Sequence, residues 1–495
     1  MDYFFKFDPI AVHPLDLSLI LFYLIGILIF GIYIGRGVKT GEDYFIAGRS
    51  LPFWAVGLSI IGSNIGSNDY VGAAGGAYKI GIAQANFEWI GAIPAMIICA
   101  FFFLPYYWKA GVYSIPEFLG LRYSQLVRVT SALVLSLFTL LSVGVYLWST
   151  AILLKTYLGW PVGFSILVTG IVVGIYTITG GLKAVTITDT VQVGIMFIGA
   201  FGLAYLGIEK SGGILEFTNK LTSNHPNHLN AFLPSDHPNF PWHGVILGLA
   251  FVLSPAYWCT NQVILQRTLG AKSVWDSQAS MILAALGKTL VPFLIVLPGL
   301  LTLVLAPKVL DNPDESLPWI IRNILPPGLS GLLFVSFIAA LQSSVDSTLN
   351  SAATMVTRDI IGVWKPETRR DEFELSAGKW ITAIGLILGI LLAPITAKFE
   401  GIYIFVQTVL SFFQGPMFSI MLFGILSKLP TPNSGFIALV GGLIFSVALG
   451  FFGVNMLHIA FTSFLFSTFL LFAFSKITEP LPNDSLERLT YGGKK

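Results

Sequence analysis

Gly62-Ser63-Asn64-Ile65-Gly66-Ser67-Asn68 interrupts an apolar run at 52–73, and Ser254-Pro255-Ala256-Tyr257-Trp258-Cys259-Thr260-Asn261 interrupts another at 243–264. Each run is long enough to cross a hydrocarbon core of about 30 Å, yet small and polar residues fall inside it. A broken span at matching places in two halves of a chain points to a transporter built of inverted repeats, with its site at mid-depth. The unwound turns expose backbone carbonyls and half-helix ends that can hold a cation and a polar solute. The plainer reading is that these glycines only let helices pack closely.

Composition sets the surroundings of these breaks. The 495 residues are 55% hydrophobic and 11% charged, against roughly a quarter charged in soluble chains. A mean hydropathy of +0.78 excludes an ordinary soluble domain. Apolar stretches at about 16–35, 52–73, 84–108, 126–154, 161–179, 187–208, 243–264, 279–305, 328–357, 377–396, 402–426, 433–453 and 455–475 predict thirteen transmembrane helices. The first, Leu17 to Gly35, follows Asp2, Asp8 and Asp16 and has no small-residue cleavage site, so it reads as a span rather than a signal peptide.

Orientation follows from the positive charges. With the N-terminus outside, nineteen Lys and Arg fall inside, from Arg36 through Arg128, Arg267, Arg369 and Arg370 to Lys494 and Lys495. Eight fall outside, among them Lys308 and Lys398, and Lys288 alone lies mid-span. That bias places the C-terminus in the cytoplasm and makes the chain a multi-pass protein of the plasma (inner) membrane. The expected divisions are an extra N-terminal helix with a cytoplasmic loop (1–51), a five-helix repeat (52–208) and an extracytoplasmic loop (209–242). A second, inverted five-helix repeat (243–426), two C-terminal helices (427–476) and a cytoplasmic tail (477–495) complete the chain. Cys99 and Cys259 lie in different apolar runs, and no disulfide framework is expected.

The run Ala339-Ala340-Leu341-Gln342-Ser343-Ser344-Val345-Asp346-Ser347-Thr348-Leu349-Asn350-Ser351 is too rich in hydroxyls to face lipid. On a helix, Ser343, Ser347 and Asn350 share one face, and Ser344, Thr348 and Ser351 an adjacent one. Sodium is a hard cation that suits hydroxyls together with the carbonyls of an unwound partner. Serines bonded back to their own helix explain one or two of these residues but not the cluster. Asp69, Glu88, Asp189 and Asp346 also fall within spans, where an unpaired charge is expensive and a partner or bound cation is expected. Lys288 is the candidate partner of Glu88, as a structural salt bridge or as part of a solute site. Asp189 is either a cap of its helix or part of an ion exit path.

Asn64-Ile65-Gly66-Ser67, Phe87-Glu88-Trp89, Tyr257 to Gln262 followed by Gln266 to Lys272, and Gln342-Ser343-Ser344 with Asn350-Ser351 resemble the sodium/glucose cotransporter branch of the sodium–solute symporter family. So do Glu42-Asp43-Tyr44-Phe45 with Ala47-Gly48-Arg49, and Pro116-Glu117-Phe118, in consistent order from about 16 to 476. The resemblance implies an all-α, LeuT-like membrane fold of two five-helix units with broken first helices. It implies a sodium site on the carbonyls of Gly62, Ile65 and Ala340 and the hydroxyls of Ser343 and Ser344. It further implies sugar contacts at Asn64, Asp69, Glu88, Ser254, Asn261, Lys288 and Gln407, with Tyr257 stacked beneath the sugar as an inner gate and Phe87 and Tyr403 covering it from outside.

Two positions depart from that pattern. Asp69 stands where sugar-carrying relatives place a neutral amide or a histidine, which leaves selectivity or a pH effect open. Asp346 stands where relatives have a small or hydroxyl residue. With Asp189 and Ser347 it completes a second sodium site, caps an internal network, or binds a proton.

The expected function is sodium-coupled symport of a hexose-like sugar by alternating access, with sodium as coupling ion, lipid around it, no organic cofactor and no nucleic-acid partner. The alternatives are symport of a polyol, inositol or organic anion, and a non-transporting sensor or channel. An organic anion is expected to need a mid-span cation, and the 126–154 run has only Arg128, at its start. No paired His, nucleophile–base or metal signature suggests an enzyme.

Overall fold

The computed structural model describes residues 6–7, 12–66, 68–306, 310–365, 371–398 and 402–491. Ser67, Lys308, Arg369, Arg370, Lys494 and Lys495 lie outside the described residues, as do the side chains of Lys398 and Tyr403. Helices make up the described chain, with only isolated bridges in place of strands.

In chain order the principal helices are α1 (Pro14–Gly35), α2 (Phe53–Asn64), α3 (Ala74–Ile80), α4 (Gln125–Leu158) and α5 (Val162–Lys210). They continue with α6 (Ser254–Thr260), α7 (Gln262–Leu269), α8 (Val274–Lys288) and α9 (Leu329–Thr354). The last four are α10 (Asp371–Leu392), α11 (Ile402–Leu426), α12 (Pro432–Phe451) and α13 (Met456–Ser475). Among the described residues ten helices are long and apolar enough to cross a membrane, or eleven when the bent pair 274–288 and 291–305 counts as one span.

The difference from thirteen has a geometric cause. Helix α5 has 49 residues, about 74 Å if straight and more than twice the hydrocarbon thickness. Within it Gly181 adopts φ 52° and ψ −153°, a conformation closed to other residues, so α5 turns there and is long enough to cross twice. The run 69–110 likewise changes direction at Gly81 (φ 78°). Its first part joins α2 across the break to make one pass, and its second part makes another. Divided at these two bends, the described helices have room for the thirteen expected passes.

Burial sorts the spans into centre and rim. In α9 with its extension to Trp364, 89% of the apolar window is buried, against 22% for α1 and 28% for α10. The hydroxyl-rich run therefore lies at the centre, where its hydroxyls find protein partners. Both predicted breaks are present. Helix α2 stops at Asn64, where Ile65 takes ψ 87°, and the freed Gly66 N–H donates to Asp69 Oδ2 at 2.9 Å. Asn261 separates α6 from α7 with ψ 116°, and its Oδ1 accepts from Val263 N at 2.8 Å. It is a side-chain N-cap, so Asn261 itself starts the second half-helix.

Two regions differ from the sequence reading. The stretch 209–241 carries a helix (Ile214–Asn224) and a short turn of helix (Pro226–Leu229) rather than being a plain loop. Arg128 and Arg267, counted among the cytoplasmic-side charges, have their side chains buried in the protein. Arg128 bonds Asp359 Oδ1 through Nη2 at 2.7 Å and Nε at 2.8 Å, and Glu117 Oε1 lies 3.3 Å away. Cys99 and Cys259 are free and buried, as expected.

Candidate functional site

Asn64, Asp69, Glu88, Ser254, Tyr257, Asn261, Lys288 and Gln407 all line one cavity of about 840 Å³, its open mouth included. They come from both breaks, from the 88–110 pass, from α8 and from α11, segments far apart in the chain. The polar groups are already linked to one another. Lys288 Nζ donates to Glu88 Oε2 and to Asn64 Oδ1, and it lies 5.5 Å from the ring centre of Trp258. Asn64 Nδ2 in turn donates to the Tyr257 hydroxyl at 3.0 Å. Only 1% of Lys288 and 7% of Glu88 is exposed, so each charge has the other as its compensation. The expected pairing exists, and it sits in the cavity wall.

Phe87 lines the cavity and packs edge-on against Phe240 at 5.5 Å. The stretch before α6 thus folds back over the site, a contact no local pattern announces. Thr139, Ser142 and Tyr146 of α4 and Gln414 of α11 also reach the cavity. Their spacing was legible: Thr139, Ser142 and Tyr146 recur every three to four residues, and Gln407 and Gln414 are two turns apart. Tyr403 lies outside the described side chains.

One turn away, α2 and α9 meet through oxygen atoms. Ser343 Oγ donates to the carbonyls of Gly62 and Ala340, both at 2.9 Å. Ser344 Oγ donates to Ala340 O at 3.1 Å and to Ser63 O at 3.5 Å. A Cβ on Gly66 would stand 2.8 Å from Ser344 Oγ, so only glycine allows α9 to approach this near. Carbonyl and hydroxyl oxygens gathered at a helix break are hard donors, and they fit an alkali cation carried as cargo.

Asp189, Asp346 and Ser347 also come together, around Arg267, which the sequence offers only as one of the cytoplasmic-side charges. Arg267 of α7 donates to Ser59 Oγ at 2.7 Å, to Ser63 Oγ at 2.6 Å, and to Ser347 Oγ and Val263 O. Its Nη2 is 3.5 Å from Asp189 Oδ2, which also accepts from Ser59 at 2.5 Å and Ser63 at 2.9 Å. Asp346 accepts from Tyr176 at 2.7 Å and from Ser347 at 3.0 Å. Asp189 lies well inside α5 and is no cap.

A match to the sodium:solute symporter family model spans residues 44–444. The chain belongs to that family. The symporter is 32% identical to the sodium/glucose cotransporter of Vibrio parahaemolyticus over 469 residues, covering 89% of this chain and 86% of the relative. It is 31% identical to the sodium/myo-inositol cotransporter 2 of Sus scrofa, covering 88% and 71%. Among solved structures, a substrate-bound, outward-open Na+-coupled sialic acid symporter aligns with TM-score 0.85 at 21% identity, over 95% of this chain and 99% of that one. A nucleobase-cation-symport-1 family transporter aligns with TM-score 0.63 at 15% identity, over 91% and 99%. These likenesses give the symporter the LeuT-like fold that the two broken helices imply.

Proposed function

We propose that this symporter imports a hexose-like sugar together with sodium by alternating access, across the plasma membrane, with the N-terminus outside. One observation carries the reading: the break after α2 serves both sites. Asn64 lines the cavity, while Gly62 and Ser63, immediately before it, offer carbonyls to Ser343 and Ser344. A cation among those oxygens would fix α2 against α9 and so favour the arrangement that binds solute, which couples the two. The lysine–carboxylate–amide chain and the Tyr257 face suit the hydroxyls and C–H face of a pyranose. The kinship with proteins named sodium/glucose cotransporters supports that solute. Sodium is the coupling ion in this reading, and no organic cofactor or catalytic step is proposed.

A polyol is the second reading, favoured by the relative named for myo-inositol. A radiolabelled panel of sugars and polyols, taken up into proteoliposomes under an imposed sodium gradient, decides between them. Uptake that ignored the gradient would exclude symport of either. Ser344→Ala is expected to raise the sodium half-saturation about tenfold, the worth of one charge-assisted contact. An unchanged value removes Ser344 from the ligand set. Gln407→Ala is expected to weaken solute affinity more than sodium affinity, and equal effects would point to a structural role.

A second cation at Asp189, Asp346 and Ser347 remains part of the proposal. Two carboxylates face one guanidinium there, which leaves one negative charge over if both are ionised. A Hill coefficient for sodium above one, falling to one in Asp346→Ser, is the expected result.

A further inference from the structure

The solute cavity is lined by three charged side chains, Asp69, Glu88 and Lys288. The single cation among them is already engaged, because Lys288 gives hydrogen bonds to Glu88 and Asn64. Asp69 accepts backbone hydrogen bonds from Gly66 N, at 2.9 Å, and from its own N–H, and no described cation lies within salt-bridge distance of it. Its carboxylate is therefore held in place by the break and open to the cavity, with the positive charge nearest in role spent elsewhere. A wholly neutral sugar would leave that carboxylate beside Glu88 with only the longer-range field of Lys288, which is hydrogen-bonded elsewhere, at a depth where close compensation is worth most.

We propose that the cavity selects a sugar or polyol bearing an ammonium group, with Asp69 as its counter-charge; this rests on the sugar reading above. An ammonium brings three donors and a full charge to the free carboxylate edge. The hydroxyls of the same solute remain for Glu88, Asn261 and Gln407. The aromatic face of Tyr257, which shares the cavity wall, attracts a cation as well as a pyranose face. The sodium oxygens from Gly62, Ala340, Ser343 and Ser344 are neutral and lie beyond Gly66, so the ion and the amine would not compete for ligands.

The test uses the full chain in proteoliposomes, with sodium-driven uptake of radiolabelled glucose, glucosamine and N-acetylglucosamine at a pH where the amine is charged. The expected result is a half-saturation for glucosamine about tenfold below that for glucose, the worth of one charge-assisted contact. N-Acetylglucosamine, which keeps the size but loses the charge, is expected to have no such advantage. In Asp69→Asn the glucosamine-to-glucose ratio is expected to approach one. The unmodified chain alone carries the first comparison, so a poorly folding variant does not remove the test. Equal half-saturations for amine and parent sugar would overturn this proposal and leave sugar symport standing. A rise in sodium half-saturation in Asp69→Asn with no change in the amine preference would also overturn it, by making the ion the partner of the carboxylate. Absence of sodium-driven uptake of any sugar, amino or neutral, would overturn both readings.

Discussion

Lys288→Met is expected to abolish sodium-driven solute uptake and to destabilise the folded chain by about 3–5 kcal/mol. The lysine is the shared donor of Glu88 and Asn64. Its loss leaves a carboxylate that is 7% exposed with no counter-charge in a medium that solvates charge poorly. The same loss frees Asn64, which otherwise holds the Tyr257 hydroxyl, so the inner face of the cavity loses its fixed shape. Solute affinity is expected to fall by roughly a hundredfold or more, since each 1.4 kcal/mol is about tenfold. Thermal melting in detergent and uptake into proteoliposomes measure the two effects separately. The double variant Glu88→Gln with Lys288→Met should recover most of the stability, because a buried pair costs most when only one partner is removed. It should not recover uptake. A double variant that transports normally would make the pair a structural tie without a part in solute binding.

Arg267→Met is the second large effect. The guanidinium binds Ser59 and Ser63 of α2, Ser347 of α9 and Asp189 of α5, so one side chain joins three helices to α7. Removing it leaves Asp189 and Asp346 buried together without a cation. The expected cost is again about 3–5 kcal/mol, read as a lower melting temperature and reduced yield of folded protein. Arg267→Lys should recover little of it, since a single ammonium cannot reproduce a planar fork with five donors. Arg267→Met combined with Asp189→Asn should melt higher than Arg267→Met alone. If the single variant melts like the parent, the guanidinium is not what compensates Asp189.

The two networks differ in how far the sequence revealed them. Glu88 and Lys288 each stood alone in an apolar run, and two opposite charges stranded in lipid-length segments have few other solutions than each other. Arg267 follows Gln266 near a helix end, and Lys and Arg counting placed it on the cytoplasmic side without giving it a partner. Its long side chain instead reaches back to serines some two hundred positions earlier, and nothing local encodes such a reach. Asp189, about two turns past the bend at Gly181, reads in sequence as either a helix cap or part of an ion path, and its partners prove to be Ser59, Ser63 and Arg267 rather than the N–H groups of its own helix.

By itself the sequence determined that this chain spans a membrane, that two spans break at mid-depth, and that a hydroxyl-bearing helix must lie at the centre. Those conclusions follow from local physics, because a bilayer penalises every exposed polar group where it stands. Only the tertiary structure decided which oxygens meet, that Arg267 fills the space between Asp189 and Ser347, and that Asp69 faces the cavity with no described cation at salt-bridge distance. Those are distances between helices remote in the chain, and they are set by how the helices pack rather than by any residue's neighbours in sequence.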